Sequence, residues 1–411
     1  MTPDSSGQFT DRFVARAVRF ANNIWFRSAS RARAASPPVF FAAGAAALVD
    51  RLLLPLFLNA ELLPAADIWW TGFIRVCLTL AGIIYTAAAA WFIGTGNGVR
   101  TPWAGTICTV ISLFILFGES GLQEVLSSGR LGTDLYFGCG AAGLIVCSIF
   151  HTLHTGFLKL TDKNVLAQIL SAVSVLFCCI VLSQFVTGMT GTAPLQLFCI
   201  LIAIPFGRII TSLAGICVIS CLCNLLYCFG LRSTEAAASL VGPFLFANTA
   251  ANTLAWVTGE TAAGIVNLSF VSVYGMIGGA GSTLCLILAY LIFGKSAGSR
   301  RIAGASLKRG LFNINEPMIF GVPIIFNMAL LVPFSVFPSL AMIAAWFATH
   351  FGFISSCTVC IPFQIPPVIG PLLATGGDWR AVLFQLVAIA AGTLFYLPFM
   401  RASDKIRPDA G

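Results

Sequence analysis

Along most of this chain apolar residues do not alternate with polar ones; they run on. Ten runs are read as approximate membrane spans: 38–58, 68–93, 102–118, 133–157, 165–187, 193–206, 209–230, 261–294, 318–349 and 381–400. A helix needs about 20 apolar residues to cross the hydrocarbon layer. The two longest runs exceed one span, so each is expected to hold more than one element. Residues 8–26 instead place Phe13, Ala17, Phe20 and Trp25 on one helical face, with Arg16 and Arg19 directed to water. That pattern predicts a helix lying at the membrane surface.

Four stretches fit neither description. Residues 231–259, 275–283 (GMIGGAGST), 310–323 and 361–379 (IPFQIPPVIGPLLATGGDW) are too polar or too rich in Gly and Pro for plain spans, yet too apolar for solvated loops. Non-helical backbone survives at membrane depth only where protein buries it or a cavity hydrates it. All four lie in the second half, where broken and re-entrant segments would surround a substrate site. The fold class expected is an all-α polytopic membrane protein, with about ten transmembrane helices plus re-entrant segments. Its regions are an N-terminal segment (1–36), scaffold and dimerisation spans (37–207), a substrate-binding transport region (208–400) and a tail (401–411).

Composition sharpens this. Hydrophobic residues make up 58% of the 411 and charged residues 9%, against roughly a quarter charged in soluble domains. The net charge of +8 is no nucleic-acid signal, because it collects before Arg33, between Lys295 and Arg309, and after Arg401. Basic residues beside spans mark the cytoplasmic side, so all three places, and both termini, are expected in the cytoplasm. The first 36 residues lack the apolar core of a cleaved signal peptide. The 14 cysteines sit mostly inside apolar runs such as CVISCLC (217–223), as small hydrophobes, and no metal or cofactor motif is read.

Several motifs are decoys. GKSAG (294–298) fits G-x-S-x-G without the strand-turn-helix setting that a nucleophile elbow needs. FGKS (293–296) has Ala289 where a P-loop needs its first glycine. His151, His154 and His350 are scattered.

The candidate chemistry lies in GLFNINEPMIFGVPIIFN (310–327). A carboxylate near the bilayer centre costs roughly 2.5–3.5 kcal/mol on insertion scales, which marks Glu316 as a functional candidate. Asn313, Asn315 and Glu316 offer the amide and carboxylate groups that a hydroxyl-rich ligand needs. A helix start, with Asn315 or Glu316 capping and Pro317 in the first turn, is the simpler alternative. Arg232 is either a cation at a helix end or part of the site. Glu235, Asn248, Asn252 and Asn267 gather in the same half. Phe363 and Gln364, between Pro362 and Pro366–Pro367, could set an aromatic ring against a sugar.

These residues resemble the membrane subunit IIC of the bacterial sugar phosphotransferase system (PTS), in its lactose/cellobiose/chitobiose branch. The resemblance is strongest over 275–400, through GGAGSTLCLILAYLIFGKS, the NEPxxFGxPIxxN pattern and IPFQIPPVIGPLLATGGDWRAVLFQL. It is weaker over 68–150, through AAAAWFIGTGNGVRTPWAG. It implies a homodimer in the bacterial inner membrane, held by the N-terminal spans. It also implies a C-terminal sugar site with alternating access and separate IIB and IIA partners acting in trans. Glu316 would then be the sugar-contacting acid and the proton acceptor, with Arg232, Asn313, Asn315, Phe363 and Gln364 as binding residues. Phe363 stands where the family usually has a tryptophan. Arg232, in CFGLRS, stands where a histidine in G-I-H-G is usual, and KLTDKN replaces a KLPDSVP-like stretch. Arginine cannot act as a general base, so the resemblance leaves three functions open. They are a permease for a β-linked disaccharide such as cellobiose or chitobiose, a relative that transports or senses without phosphorylation, and an ion-coupled secondary transporter.

Overall fold

The computed structural model describes residues 23–58, 62–99, 102–118, 128–161, 163–231, 233–262, 264–322 and 324–406. All regular structure among them is helical. The expected surface helix over 8–26 lies almost wholly outside the described residues; the first described helix, α1 (Ile24–Arg33), is capped by Asn23, whose Oδ1 accepts from Trp25 N at 2.9 Å. Seven described helices are long and apolar enough to cross a membrane, or eight if a pair bent by 71° is one span.

The ten runs map onto these helices with instructive differences. Run 102–118 forms only the 13-residue α4 (Trp103–Ile115). Runs 193–206 and 209–230 form the bent pair, α7 (Pro194–Ile210) and α8 (Leu213–Cys228). Residues 231–259, which looked too polar for a regular span, form one continuous 26-residue helix, α9 (Ser233–Thr258), with Pro243 inside it.

By contacts the chain divides into two compact units. The first comprises Met1–Pro38, Thr79–Ile204 and Ala238–Pro243, hence most of α3 (Leu63–Gly96), α4, α5 (Tyr136–Thr161) and α6 (Asn164–Thr190). Here small residues let backbones approach, the usual device where lipid removes any hydrophobic drive between helices. A Cβ on Gly143 would lie 2.6 Å from Thr86 O, and one on Gly140 would strike the Tyr85 ring. Thr86 adds a bond across the same contact, donating to Cys139 O at 2.9 Å. On α6, Ile169, Val173, Phe177, Phe185 and Met189 are all exposed, a surface suited to lipid and not to water.

The second unit comprises Val39–Leu78, Pro205–Ala237 and Phe244–Gly411. After α9 it contains α10 (Leu268–Phe270, running into a π-helical turn Val271–Gly275), α11 (Thr283–Phe293), α12 (Ala297–Gly310), α13 (Glu316–Gly321), α14 (Met328–His350), α15 (Ile369–Ala374) and α16 (Trp379–Ile406). Its core is built on Leu286, Ile287, Tyr290, Ile319, Phe334 and Tyr396. Among its segments that are not helical are 276–279, 311–315 and 351–368. Buried side chains answer their backbone. Asn252 donates to Cys357 O (3.0 Å) and Gly264 O (2.7 Å), Asn267 donates to Cys357 O (2.7 Å), Thr253 to Thr358 O (2.6 Å) and Ser269 to Val359 O (2.7 Å).

At the far end of that extended stretch, Asp378 caps α16. It accepts from Ser355 N at 2.8 Å, Arg380 N at 2.9 Å and the Arg380 guanidinium at 3.0 and 3.1 Å. Burial alone would raise this carboxyl, but the Arg380 and Ser355 hydrogen bonds outweigh it and hold it at about 2, below the ordinary 3.8. A depressed acid contributes stability above its unfolded pKa and loses it as pH falls through its folded one. The melting temperature of the detergent-purified protein should therefore drop between about pH 4 and about pH 2. In Asp378→Asn that part of the acid slope should be missing; an identical slope in both proteins would remove Asp378 from the account.

Candidate functional site

A cavity of about 380 Å³ opens in the second unit, lined by Tyr227, Gly230, Leu231, Met276, Gly279, Ala280, Asn313, Asn315, Glu316, Phe320, Ile325 and Phe363. That volume lies within the roughly 300–1,000 Å³ usual for small-molecule sites. The non-helical segments build it. Gly278, Gly279 and Gly281 have φ of 79°, 101° and 70°, a run that side chains with a Cβ adopt only with strain. At Gly279 space forbids one as well: a Cβ would lie 2.8 Å from Asn315 Cγ. Ser282, at φ 53°, follows in the left-handed region, its hydroxyl donating to Gly275 O at 3.1 Å.

Asn313 joins three segments. Its own φ is 60°, which Asn tolerates better than most residues. Its Oδ1 accepts from Gly278 N at 2.8 Å and its Nδ2 donates to Phe363 O. Asn315 Nδ2 donates to Ala280 O at 3.1 Å. These amides hold the wall of the cavity in shape, a use that the sequence reading did not separate from ligand contact. On the other side, Gln385 is 3% exposed. It donates to Val273 O at 2.9 Å and accepts from Val368 N at 2.9 Å. Val368 has φ 77° and ψ −54°, a strained setting for a β-branched residue.

Glu316 stands apart. It is the first residue of α13, with Pro317 in the first turn, so the helix-start reading describes the backbone correctly. Asn315, however, makes no side-chain cap. Glu316 is exposed and lines the cavity, and its carboxylate has no hydrogen-bond or ion-pair partner among the described residues. Phe363 is half-buried on the opposite segment.

The structure thus brings Asn313, Asn315, Glu316 and Phe363 to one cavity. Gln364 is exposed and does not line it. Arg232 lies outside the described residues, as do the side chain of Glu235 and any pairing of Arg232 with Glu316. Asn248 serves structure, donating to Val266 O at 3.0 Å, as do Asn252 and Asn267. Tyr227, Met276, Phe320 and Ile325 were not singled out, although Met276, Phe320 and Ile325 lie within the stretches 275–283 and 310–327 that the sequence marks; nothing in its local sequence marks Tyr227. Gln385 did carry a signal: a lone amide in the apolar run VLFQLVAIAAG. Among the described residues no group of His, Cys, Asp and Glu could hold a metal ion.

Long apolar helices interrupted by broken segments, with a cavity among those segments, are the architecture of a polytopic helical membrane protein. The family model for the EIIC subunit of the phosphotransferase system matches residues 76–338, and the chain belongs to that family. The lichenan permease IIC component of Bacillus subtilis (strain 168) is 25% identical over 351 residues, 79% of this chain and 76% of that one. The cellobiose-specific EIIC component of Lactococcus lactis subsp. lactis (strain IL1403) is 32% identical over 133 residues, 32% of this chain and 27% of its own length. A second Bacillus subtilis (strain 168) chain, provisionally assigned as a permease IIC component, is 28% identical over 70% of this chain and 64% of its own. The crystal structure of ChbC, the IIC component of the N,N'-diacetylchitobiose-specific phosphotransferase system, superposes with a TM-score of 0.86 at 20% identity, covering 97% of this chain and 98% of that one. The fold is therefore shared, and the chain is a multi-pass membrane protein.

Replacing Asn313 tests the wall. Asn313→Leu would leave Gly278 N and Phe363 O unpaired, each costing about 1–3 kcal/mol when buried, and would put a Cβ-bulky residue at positive φ. Asn313→Asp keeps the acceptor and the backbone tolerance and should fall between the two. Unfolding in detergent gives the order native, Asp, Leu; equal stability of all three would show that the wall does not depend on this amide.

Proposed function

We propose that this chain is the sugar-translocating IIC subunit of a phosphotransferase system. In this reading it binds a β-linked disaccharide of the cellobiose or chitobiose type in the Glu316 cavity and presents it to a separate IIB subunit. The observation that carries the reading is Glu316, which lines the cavity with no partner among the described residues, while the neighbouring asparagines give amide groups to backbone. A free carboxylate accepts hydrogen bonds from sugar hydroxyls, and bonds to a charged group are the stronger kind. Phe363 supplies an apolar face for a pyranose. Curated relatives are named for lichenan, cellobiose and an oligo-beta-mannoside, which supports a β-linked substrate. Lactose-specific relatives are EIICB components, which supports a IIB partner.

In transfer, a sugar hydroxyl oxygen forms a bond to the incoming phosphorus while the bond from phosphorus to the donor breaks. The hydroxyl proton passes to Glu316. The chain's contribution is to position the hydroxyl and hold that proton. All cavity residues fall between 227 and 363, which supports assigning binding to residues 208–400; of the proposed scaffold 37–207, Val39–Leu78 packs with the cavity's own unit. In this reading a second copy of the chain seats against the scaffold spans. A IIA subunit would recharge IIB, and no cofactor enters the scheme. One observation favours a second reading, transport or sensing without phosphorylation: Arg232 occupies the place of the family's usual histidine.

Glu316→Gln keeps the size of the side chain and removes its charge. Affinity for cellobiose or chitobiose, measured calorimetrically in detergent, should fall by roughly 1.5–3 kcal/mol. Phe363→Ala should weaken binding, while Phe363→Trp should be tolerated. Unchanged affinity in a folded Gln variant would reduce Glu316 to the first residue of a helix. Phosphotransfer from IIB to the bound sugar separates the two readings.

The basic stretches at 295–309 and from 401 onward belong on the cytoplasmic side by the positive-inside bias. Ala305 and Ala402 are exposed, unlike Ser403, which accepts from Asn327 Nδ2 at 2.8 Å. In a cysteine-free background, Ala305→Cys and Ala402→Cys should react with an impermeant maleimide only after the cells are opened. Labelling of intact cells would invert the topology.

A further inference from the structure

From residue 261 to residue 315 the chain has no acid and five bases, Lys295, Arg300, Arg301, Lys308 and Arg309. Four of the five lie on α12, and the structure sorts that helix sharply. At 3.6 residues per turn, Arg300, Arg301, Gly304, Ala305, Lys308 and Arg309 fall within an arc of about 180°. All six are exposed. The other arc is spent on protein. Ala303 is fully buried and Ser306 is 1% exposed. Ile302 fills the space beside Gly321 in α13, and Ile287 of α11 sits 2.7 Å from where a Cβ on Gly310 would be.

None of the four cations has an ion pair or hydrogen-bond partner among the described residues. One acid, Asp404 of α16, reaches this helix, accepting from Ser299 at 3.5 Å. The two cation pairs are about 12 Å apart along the helix. Gly304 leaves the space between them open, since an added Cβ would meet nothing nearer than Leu291 Cδ2 at 3.9 Å.

We propose that the outward arc of α12, Arg300, Arg301, Lys308 and Arg309 around Gly304 and Ala305, docks an acidic face of the phosphoryl-donor protein. The inference rests on the permease reading and names the place where its partner binds. Lipid headgroups are the competing occupant, and the packing speaks against them. A helix that lies in a membrane surface uses its apolar face to enter the acyl chains. In α12 that face is already committed to α11 and α13. What is left outside is charge around a small-residue saddle, which a protein surface can approach closely. The position also fits the chemistry. Ile302, on the inner arc, packs on the helix that Glu316 begins, and the chain passes from Gly310 to Glu316 in six residues. A donor held on α12 is held beside the acceptor cavity. Its phosphoryl group adds negative charge of its own.

The test uses full-length protein in nanodiscs with a purified, phosphorylated IIB subunit of a cellobiose-type system as probe. The variant is Arg300→Glu/Arg301→Glu/Lys308→Glu/Arg309→Glu, with Arg300→Gln/Lys308→Gln as a milder companion. Steering by complementary charge raises association rates about 10–10³-fold. Phosphotransfer to cellobiose at limiting IIB should therefore fall at least about tenfold in the reversed variant, and less in the companion, with cellobiose affinity unchanged. Raising salt should slow the native protein toward the variant's rate. If native and reversed proteins transfer equally, the docking surface is overturned and the permease reading stands. If the native protein binds cellobiose but no phosphoryl group passes from IIB to the bound sugar, the phosphotransfer reading fails and the docking proposal with it. If the loss appears only in discs of anionic phosphatidylglycerol and not in purely zwitterionic ones, the arc belongs to lipid, which also overturns the proposal.

Discussion

An extended backbone inside an apolar layer must find a partner for every N–H and C=O without help from bulk water, and the second unit is organised around that demand. The stretch from 351 to 368 has no helical ladder of its own. Cys357 O is met by two buried amides, Asn252 and Asn267, and Thr358 O and Val359 O by the hydroxyls of Thr253 and Ser269. Thr358 N and Val359 N both turn to Ala374 O, at 2.7 and 3.0 Å. Each such group left bare would cost about 1–3 kcal/mol, comparable to a large share of a domain's net stability. Irregular backbone at this depth exists because particular side chains on regular helices were placed to receive it.

The same constraint explains what is left over for a ligand. Asn313 and Asn315 point polar atoms toward the cavity wall and spend them there, on Gly278, Phe363 and Ala280. Glu316, one residue further, has no partner among the described residues. A cavity whose wall is pinned by its own amides keeps its shape when empty. Preorganisation of this kind lowers the ordering cost of binding.

The membrane class was legible in the sequence, and so was the unusual setting of Glu316, because a charge amid apolar runs has few innocent explanations. The broken character of 275–283, 310–323 and 361–379 was legible too, from glycine and proline. Residues 231–259 were not: Asn248, Thr249, Asn252 and Thr253 gave that stretch the composition of a disrupted span, yet it is a continuous helix. Its polarity belongs to its partners, the carbonyls of residues 264, 266, 357 and 358. A sequence shows that a polar group is present in an apolar run, but not whether it serves its own backbone, another segment's, or a ligand. The roles of Asn313 and Asn315 were hidden for the same reason. Tyr227 and Met276 reach the cavity only through tertiary packing.

The amide clamps also restrict how the site can move. Segment 276–279 cannot leave 311–315 without abandoning the bond from Gly278 N to Asn313, and neither can leave Phe363 while Asn313 holds its carbonyl. Gln385 binds α10 and the start of α15 to α16 in the same manner. Small apolar contacts slide at little cost, but these bonds have two states, made or broken, and breaking one in a dry interior leaves two groups unpaired. The three segments and Glu316 are thereby fixed to one another as a single wall. Any rearrangement that exposes the cavity first to one side and then to the other has to carry that wall as a body, with the change in backbone angles taken up outside the clamped stretches.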